Sequence, residues 1–269
     1  MDLELTGKHA IVTGGSRGIG LAIGRALAAE GANVALVSRD KSALEAARES
    51  AARSAAESGG GKVIAVSADT GSEQSVRTMT DTVTAEFGGA DILVNCAARP
   101  NTGAVVGIGS FDDNEFSEQI NVKVLGYLRC ARAVVPHMRE QGWGRIINIS
   151  GLAARSTGSI TGTVRNVAVA SLTKNLADEL GKDGINVSVV HPAMTVTERI
   201  PGLVADLAAA QGVPEAEIEA KMAKGSSIGR LVTAEEVASV VAFLASPRSV
   251  AINGDAIAVG GGTPGHIYY

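Results

Sequence analysis

The sequence Thr13-Gly14-Gly15-Ser16-Arg17-Gly18-Ile19-Gly20 joins a short apolar strand to an Ala-rich helix. Its glycines serve different purposes: Gly14 makes a tight turn, Gly18 lets the backbone approach a pyrophosphate, and Gly20 lets the helix pack on the strand. The free amides at the start of the helix then receive the phosphate. A tight turn alone gives similar text, but the position between the first strand and the first helix predicts dinucleotide binding.

The rest of the chain alternates short β-rich runs with longer helical patterns, which is typical of βαβ units around a parallel sheet. We predict an α/β protein with a single-domain Rossmann fold, in which a doubly wound, parallel, seven-stranded sheet carries helices on both faces. The predicted strands are 9–13, 33–37, 62–66, 91–95, 144–149, 186–190 and 256–259. The predicted helices are 18–30, 41–57, 73–87, 115–137, 163–181 and 234–245.

One domain over 1–269 is the expected organisation, because 269 residues with 45% hydrophobic content suffice for a core on both faces of a sheet. The segment 200–225 lies outside the regular alternation. We interpret it as a helical lid that covers the substrate in the crevice at the carboxyl ends of the strands.

Charge and cysteine usage exclude several classes of protein. The formal net charge of -4 gives no basic field, so we expect neither nucleic acid nor a membrane as a partner. Cys96 and Cys130 lie in apolar segments without metal-ligand spacing, which predicts buried free thiols and no metal site. The acidic start Met1-Asp2-Leu3-Glu4 does not resemble a signal peptide, so we expect a cytoplasmic protein.

The residues after the second strand indicate which dinucleotide is bound. Ser38 and Arg39 stand there, Arg17 lies in the glycine loop, and no acid occurs before Asp40. An acid at this place accepts from a ribose 2′-hydroxyl, whereas an arginine pairs with a 2′-phosphate, so NADP(H) is favoured over NAD(H). The alternative is that Arg39 is a solvated charge and that Arg17 caps a carbonyl.

Several further motifs occur in the order of a known family. They are Ala68-Asp69-Thr70, Asn95-Cys96-Ala97-Ala98, Asn121, Asn148-Ile149-Ser150 and Pro192–Thr197. With the glycine loop, they make the chain resemble the short-chain dehydrogenase/reductase family over nearly its whole length. The resemblance is strongest to carrier-protein reductases and tropinone-reductase-like members.

The resemblance implies a cofactor site. Asp69 and its neighbours flank the adenine, the Asn95 segment runs beside the adenosine ribose, the Pro192 loop holds the nicotinamide carboxamide, and Thr197 reaches the pyrophosphate. The complete predicted set is Gly14, Ser16, Arg17, Gly18, Ile19, Gly20, Ser38, Arg39, Ala68, Asp69, Thr70, Asn95, Ala97, Pro192, Thr195 and Thr197.

The same resemblance implies a Ser, a Tyr and a Lys that transfer a proton, with Tyr and Lys four residues apart on one helix face. In this chain these positions fall on Gly151, Gly162 and Asn166, with Ser150 one residue before the Ser position. The register of 151–166 leaves room for a shift, but no tyrosine at all occurs between Tyr127 and Tyr268.

Three residues are candidates for a replacement catalytic site: Asn121, Ser150 and His191. Asn121 stands where the family holds a water for proton relay, or else it only kinks a helix. His191 has a suitable ordinary pKa, but a packed, hydrogen-bonded histidine is the alternative. Further side chains expected near the crevice are those of Arg155, Ser156, Thr163 and Arg165. Arg155 and Arg165 suit an anionic substrate, and a subunit contact is the alternative for Arg165.

Three hypotheses about function follow. The first is an NADP(H)-dependent oxidoreductase that acts on a small molecule without the usual Ser-Tyr-Lys site, for which an activated alkene is an easier substrate than a ketone. The second is an inactive partner of an active paralogue in a mixed oligomer. The third is a lyase, isomerase or cyclase, against which the intact dinucleotide loop argues. By resemblance we expect a homo-oligomer, either a dimer or a homotetramer.

Overall fold

The computed structural model describes residues 1–99, 107–265 and 267. Its strands are β1 (His9–Thr13), β2 (Asn33–Ser38), β3 (Val63–Ser67), β4 (Ile92–Asn95), β5 (Gly144–Ile149), β6 (Ile185–Pro192), β7 (Thr195–Val196), β8 (Val232–Thr233) and β9 (Ala256–Val259). Seven of them form a parallel sheet in the order β3-β2-β1-β4-β5-β6-β9, and β7 pairs with β8. The predicted fold class and the seven predicted strands are confirmed.

The helices connect successive strands. They are α1 (Gly18–Ala29), α2 (Lys41–Glu57), α3 (Glu73–Phe87), α4 (Asp113–Ile120), α5 (Gly126–Gln141), α6 (Ile160–Leu180), α7 (Ile200–Gln211), α8 (Glu215–Lys224) and α9 (Ala234–Ala245). A π-helical turn over Asn121–Leu125 joins α4 to α5.

The core lies on both faces of the sheet, because the central strands are buried almost throughout. On one face, α1, α2 and α9 pack through side chains such as Ile23, Leu44 and Val237. On the other face, α3 and α5 pack through side chains such as Val83 and Val134. Both faces of the sheet are therefore covered, and its open side is the edge where the strands end.

The structure differs from the predicted helix 115–137 at both ends and in the middle. Asp112 accepts hydrogen bonds from two backbone amides and starts α4 at Asp113. The π-helical turn Asn121–Leu125 interrupts the helix, and Gly142 ends it with a left-handed φ of 67°. Insertion of the π turn rotates the residues after it relative to α4, and this rotation determines which side chains of the segment point inward.

The segment 200–225 is helical, as predicted. Helices α7 and α8 pack on each other through Val204, Ala208 and Ile218, in a small cluster separate from the core of the sheet. The pair is therefore joined to the rest of the core by few apolar contacts, which is typical of elements that move relative to a sheet. Its function as a lid stays a prediction.

Within the described ranges, no helix is both long enough and apolar enough to cross a membrane. Cys96 and Cys130 are free thiols, as predicted; Cys130 is buried, whereas Cys96 is only half-buried because it lines the crevice at the end of β4.

Candidate functional site

A crevice of about 1040 Å³ opens at the carboxyl ends of the central strands. It lies where the strand order reverses between β1 and β4, which is the place where open α/β sheets bind ligands. The residues that line it are Gly14, Ser16, Arg17, Gly18, Ile19, Gly20, Val37, Ser38, Arg39, Asp40, Ala68, Asp69, Thr70, Cys96, Ala97, Ala98, Arg99, Val122, Arg165, Thr197, Glu198 and Arg199. All predicted cofactor residues except Asn95, Pro192 and Thr195 are among them.

The glycine loop has a backbone that larger residues cannot adopt. Gly14 has a φ of 70°, and a Cβ atom there would lie 2.9 Å from the backbone nitrogen of Ala97. A Cβ atom on Gly20 would clash with the carbonyl oxygen of Gly14, because α1 passes directly over the turn. These two glycines therefore set the distance between α1 and the loop.

Helix α1 offers backbone donors to the crevice. It begins at Gly18 without a side-chain cap, and its first turn contains no acidic residue. The first amides of a helix lack intrahelical partners and carry the positive end of the helix dipole, so this terminus suits a phosphate group. Thr13 holds the opposite wall, since its Oγ1 accepts hydrogen bonds from the backbone nitrogens of Cys96 (3.0 Å) and Ala97 (3.2 Å).

The outer end of the crevice is positively charged. Arg17 and Arg39 line it and are exposed. Asp40, the nearest acid, caps helix α2 by accepting from the backbone nitrogens of Ser42 and Ala43, both at 3.1 Å. These hydrogen bonds, first the one from Ala43, hold the pKa of Asp40 below its usual value. The carboxylate is thus engaged in the helix cap, while the two guanidinium groups face the crevice.

The wall beside β3 is fixed by a turn. Oδ1 of Asp69 accepts from the backbone nitrogen of Gly71 at 2.9 Å, and the hydroxyl of Thr70 donates to the carbonyl oxygen of Val122 at 3.4 Å. The second bond ties this wall to the π-helical turn Asn121–Leu125.

Three predicted cofactor residues lie outside the lining. The Asn95 side chain is fully buried and donates to Oδ1 of Asn148 at 3.0 Å. Pro192 ends β6, and Thr195 donates through Oγ1 to the carbonyl oxygen of Ala193 at 3.0 Å. Their function toward a cofactor stays a prediction.

The inner face of α6 carries the positions that the family resemblance assigns to Tyr and Lys. Gly162 and Asn166 are both buried on this face, one helical turn apart. A Cβ atom on Gly151 would lie 3.2 Å from Nδ2 of Asn166, so these two assigned positions meet at the end of β5. Ser150 belongs to the same cluster, because its hydroxyl donates to the carbonyl oxygen of Asn166 at 3.0 Å.

His191 is a buried acceptor at the end of β6. Its Nδ1 accepts from the backbone nitrogen of Gly151 at 3.4 Å. Burial, and then the charge of Arg155, lower the pKa of His191 to about 4. The ring is therefore neutral at pH 7, and this geometry favours the packed, hydrogen-bonded alternative over a proton donor.

The side chain of Asn121 points to the β3–α3 connection. Its Nδ2 donates to the carbonyl oxygen of Gly71 at 3.4 Å, and its Oδ1 accepts from Arg129 at 2.9 Å. Both bonds hold the side chain between the π-helical turn and the β3–α3 connection, which fits the alternative of a helix-kink residue; the proton relay stays a prediction.

The two arginines expected near the crevice lie in different places. Arg165 points inward from α6, lines the crevice and donates to Gln119 and to the carbonyl oxygen of Arg99. Arg155 donates to the carbonyl oxygen of Ala256 at the edge of the sheet. Thr163 donates to the carbonyl oxygen of Ser156 before α6, so both hydroxyl residues lie at the start of that helix.

Sequence reasoning missed Lys123, which is 4% exposed. Its Nζ donates to the carbonyl oxygen of Ser150 at 3.0 Å. A signal was available, because Lys123 precedes the buried residues Tyr127, Cys130, Val134 and Met138 at helical spacing. A lysine at the head of a buried apolar stripe is unusual enough to deserve a functional explanation.

Comparison with known proteins identifies the family. The sequence model of the family described as enoyl-(acyl carrier protein) reductase matches residues 14–264. The short-chain reductase protein NovJ of Streptomyces niveus is 37% identical, with 95% of this chain and 93% of that protein covered. The 3-oxoacyl-[acyl-carrier-protein] reductase FabG of Vibrio cholerae is 31% identical over 97% of this chain and 98% of its own length. The chain belongs to the short-chain dehydrogenase/reductase family, as its motifs predict.

Solved structures give the same result. L-Sorbose reductase from Gluconobacter frateurii, complexed with NADPH and L-sorbose, superposes with a TM-score of 0.91 and 32% identity. The match covers 99% of this chain and 100% of that one. A variant of actinorhodin polyketide ketoreductase with NADPH gives a TM-score of 0.87 and 28% identity, covering 96% and 98%.

Proposed function

We propose that this protein is an NADP(H)-dependent oxidoreductase that acts on a small molecule and lacks the Ser-Tyr-Lys site of its family. The observation that carries the proposal is a contrast between the crevice and the buried cluster at the end of β5. The glycine loop, the α1 terminus and the arginine pair line the crevice, whereas Gly151, Gly162 and Asn166 occupy the positions that the family resemblance assigns to the proton-transfer groups.

The preference for NADP(H) rests on charge. Arg17 and Arg39 face the outer crevice, and Asp40 is held in the α2 cap. A 2′-phosphate gains two cationic partners here, whereas the 2′-hydroxyl of NAD(H) would need the engaged carboxylate as its acceptor. Two solved relatives are described as NADPH complexes, which supports the same choice.

When bound, the cofactor supplies hydride chemistry, and the chain supplies binding and orientation. The backbone amides of α1 hold the pyrophosphate, and the loop at Cys96 and Ala97 forms the wall next to it. Without a tyrosine, the substrate oxygen or carbanion must receive its proton from another group of the chain, from water or from the substrate itself.

Substrate and assembly are further parts of the proposal. The pair α7–α8 stands beside Thr197, Glu198 and Arg199 at the mouth of the crevice, so closure of this pair would shield a bound substrate from water. Helix α6 exposes an apolar row, Ile160, Val164 and Val167, at 45%, 43% and 46% exposure. Such a row suits an interface between subunits in a homo-oligomer.

The test is deuteride transfer. Purified protein is incubated with NADPH carrying deuterium at C4 and with a panel of ketones and activated alkenes, and the products are analysed by mass spectrometry. Deuterium in at least one product supports an oxidoreductase; a protein that leaves the whole panel unlabelled with either C4 epimer contradicts it. The double variant Gly162→Tyr with Asn166→Lys is expected to raise ketone reduction at least tenfold, a modest share of the 10² to 10⁴ usual for acid–base catalysis.

A second candidate is a non-catalytic partner of an active paralogue. The exposed apolar row of α6 favours it, because that row is placed for a helix-to-helix contact with a second chain. This candidate predicts NADPH binding without deuterium transfer. It also predicts that Val164→Asp shifts the oligomer toward monomer in analytical ultracentrifugation, whereas Ile228→Asp, at another exposed apolar position, leaves the mass unchanged.

A further inference from the structure

Lys123 brings an amine into the cluster at the end of β5. It lies in the π-helical turn, and its Nζ reaches the carbonyl oxygen of Ser150. Among the described residues, that oxygen is its one hydrogen-bond acceptor. An ammonium has three donors, so two of them are left for groups that this part of the chain does not supply.

The charges around Lys123 do not explain its burial. From α6 the Arg165 guanidinium faces it, from the residue after β4 the Cys96 thiol, and from β6 the neutral ring of His191; Tyr127 follows four residues later in the chain. Tyr127 donates to the carbonyl oxygen of Ile149. None of these groups is a carboxylate. A buried amine next to a second cation and without a described counterion is costly, which is the arrangement expected of a functional group.

Burial, and then the charge of Arg165, lower the pKa of Lys123 to about 7. Both forms of the amine are therefore populated near neutral pH, as general acid–base catalysis requires. The Cys96 thiol does not compete, because burial raises its pKa to about 11.

The amine lies next to the crevice. Val122, Cys96 and Arg165 line the crevice, and all three are chain or charge neighbours of Lys123. The bonds from Lys123 to Ser150 and from Ser150 to Asn166 connect it to the positions where the family resemblance places a serine and a lysine. In addition, Oδ1 of Asn166 is buried without a partner among the described residues. The Lys123 ammonium thus reaches, from the α4–α5 side, the cluster in which Asn166 holds the position that the family resemblance assigns to a lysine.

We propose that Lys123 is the acid–base residue of this protein and that the substrate is a carbonyl compound. In reduction, an N–H bond of the Lys123 ammonium breaks and an O–H bond forms on the substrate oxygen, while the carbonyl carbon accepts a hydride from the reduced nicotinamide. The neutral amine then takes a proton from water. In the reverse direction, the amine accepts the alcohol proton. This inference rests on the proposed oxidoreductase function.

The first experiment observes the amine without turnover. Protein labelled with ¹³C at lysine Cε is titrated by NMR from pH 5 to 10, alone and with NADP⁺. We expect one resonance with a midpoint near pH 7 that disappears in Lys123→Met and persists in Lys174→Met, the control at an exposed α6 lysine paired with Asp178. We also expect NADP⁺ to shift this midpoint. A Lys123 resonance that titrates above pH 9 in both states overturns the proposal.

The second experiment separates binding from chemistry. Lys123→Met and Lys123→Arg are compared with Lys174→Met for NADPH affinity and for the pH dependence of ketone reduction. We expect the Lys123 variants to bind NADPH within about threefold of wild type and to lose at least 100-fold in rate, the lower range for a lost general acid. Lys123→Arg is expected to keep the fold and lose the wild-type pH profile near 7.

The outcomes distinguish the two proposals. Failure of the wild type to bind NADPH overturns the proposed function and with it the role of Lys123. Wild-type binding with ketone reduction that survives unchanged in Lys123→Met overturns the role of Lys123 alone. Wild-type binding with no reduction of any ketone also overturns that role, while leaving cofactor binding intact.

Discussion

Two regions differ in how their polar groups are satisfied: the adenosine end, which is the part of the crevice that we propose for the adenosine, and the β5–α6 end, which is the buried cluster around Ser150, Gly151 and Asn166. At the adenosine end, backbone geometry is set by Gly14 and Gly20, and the arginines are exposed to the ligand. At the β5–α6 end, polar groups are buried and several lack a partner among the described residues, among them Oδ1 of Asn95, Oδ1 of Asn166 and Nε of Arg165. At the first end, glycines fix the shape of the backbone that we propose holds the cofactor. The second end is a cluster of buried polar groups with unused hydrogen-bonding capacity.

The two ends therefore also differ in how much they lower the stability of the folded state. A glycine turn is a local feature that the rest of the core supports, so it adds little strain. Buried amines and amides without partners destabilise the folded state and are retained where they serve binding or catalysis. Variants at the two ends are therefore expected to respond differently to substitution and to pH.

The largest effect is expected from Gly20→Ala. Its Cβ atom would clash with the carbonyl oxygen of Gly14, which would displace α1 from the loop. We expect NADPH affinity to fall at least 100-fold, about 3 kcal/mol, in a fluorescence titration. Gly202→Ala in α7 is the matched control, since a Cβ atom there contacts nothing within 4 Å. Equal NADPH affinity of both variants would show that the loop does not shape the cofactor site.

The next effect is expected from Arg39→Ala. Loss of this guanidinium should weaken NADPH binding about 30-fold, roughly 2 kcal/mol, and leave NADH binding unchanged. Arg53→Ala, which removes an exposed arginine near the end of α2, is the control. If NADH binding falls in parallel with NADPH binding, Arg39 contributes to the fold and not to the 2′-phosphate.

An effect of similar size, about 2 kcal/mol, is expected when Lys123→Met changes how the free energy of unfolding depends on pH. Its folded pKa lies below the unfolded value, so between pH 7 and about 10 the unfolded chain binds more protons and stability rises with pH. Between pH 7 and 9 we expect Lys123→Met to remove about 2 kcal/mol of this rise in urea unfolding. Identical slopes for wild type and Lys123→Met would contradict a buried, neutral amine.

His191 affects stability in the acidic range, whereas Lys123 affects it in the alkaline range. Its folded pKa of about 4 lies below the ordinary value, so its contribution is complete above pH 6.5 and is lost as the pH falls toward 4. We expect His191→Asn to flatten the acid limb of the stability curve by about 1 to 2 kcal/mol between pH 7 and 5. His137→Asn serves as the control variant, and an acid limb that is unchanged in His191→Asn would show that the ring titrates normally.

The smallest effect is expected at Asp40. Asp40→Ala removes the α2 cap and should cost about 1 kcal/mol of stability, whereas Asp40→Asn should cost less because asparagine also caps helices. Neither variant should weaken NADPH binding. A shift of preference toward NADH in wild type that Asp40→Asn abolishes would mean that this carboxylate binds a ribose instead.

The sequence predicts the fold and most of the residues that line the crevice, because both depend on local patterns. Strand alternation and the spacing of Gly14, Gly18 and Gly20 are visible in the text, and together they predict the doubly wound parallel sheet that the strand order confirms. The absence of a tyrosine between Tyr127 and Tyr268 is equally visible. These features can be predicted because each depends on residues that are close together in the sequence.

The β5–α6 end could not be predicted in the same way. It depends on how the π-helical turn rotates Lys123 inward, and on which side of α6 faces the sheet. Arg165 also points into the crevice, where a subunit contact was the sequence-based alternative. These placements arise from packing between segments that are distant in the sequence. The sequence offered one indication of them, namely that Lys123 precedes a row of apolar residues at helical spacing.

The central claim is that the cofactor site is intact although the usual proton-transfer residues are replaced. The most direct test is a titration of the wild-type protein with NADPH and, separately, with NADH, followed by nicotinamide fluorescence. We predict saturable binding of NADPH in the micromolar range and binding of NADH at least tenfold weaker. Failure of both nucleotides to bind would contradict the account.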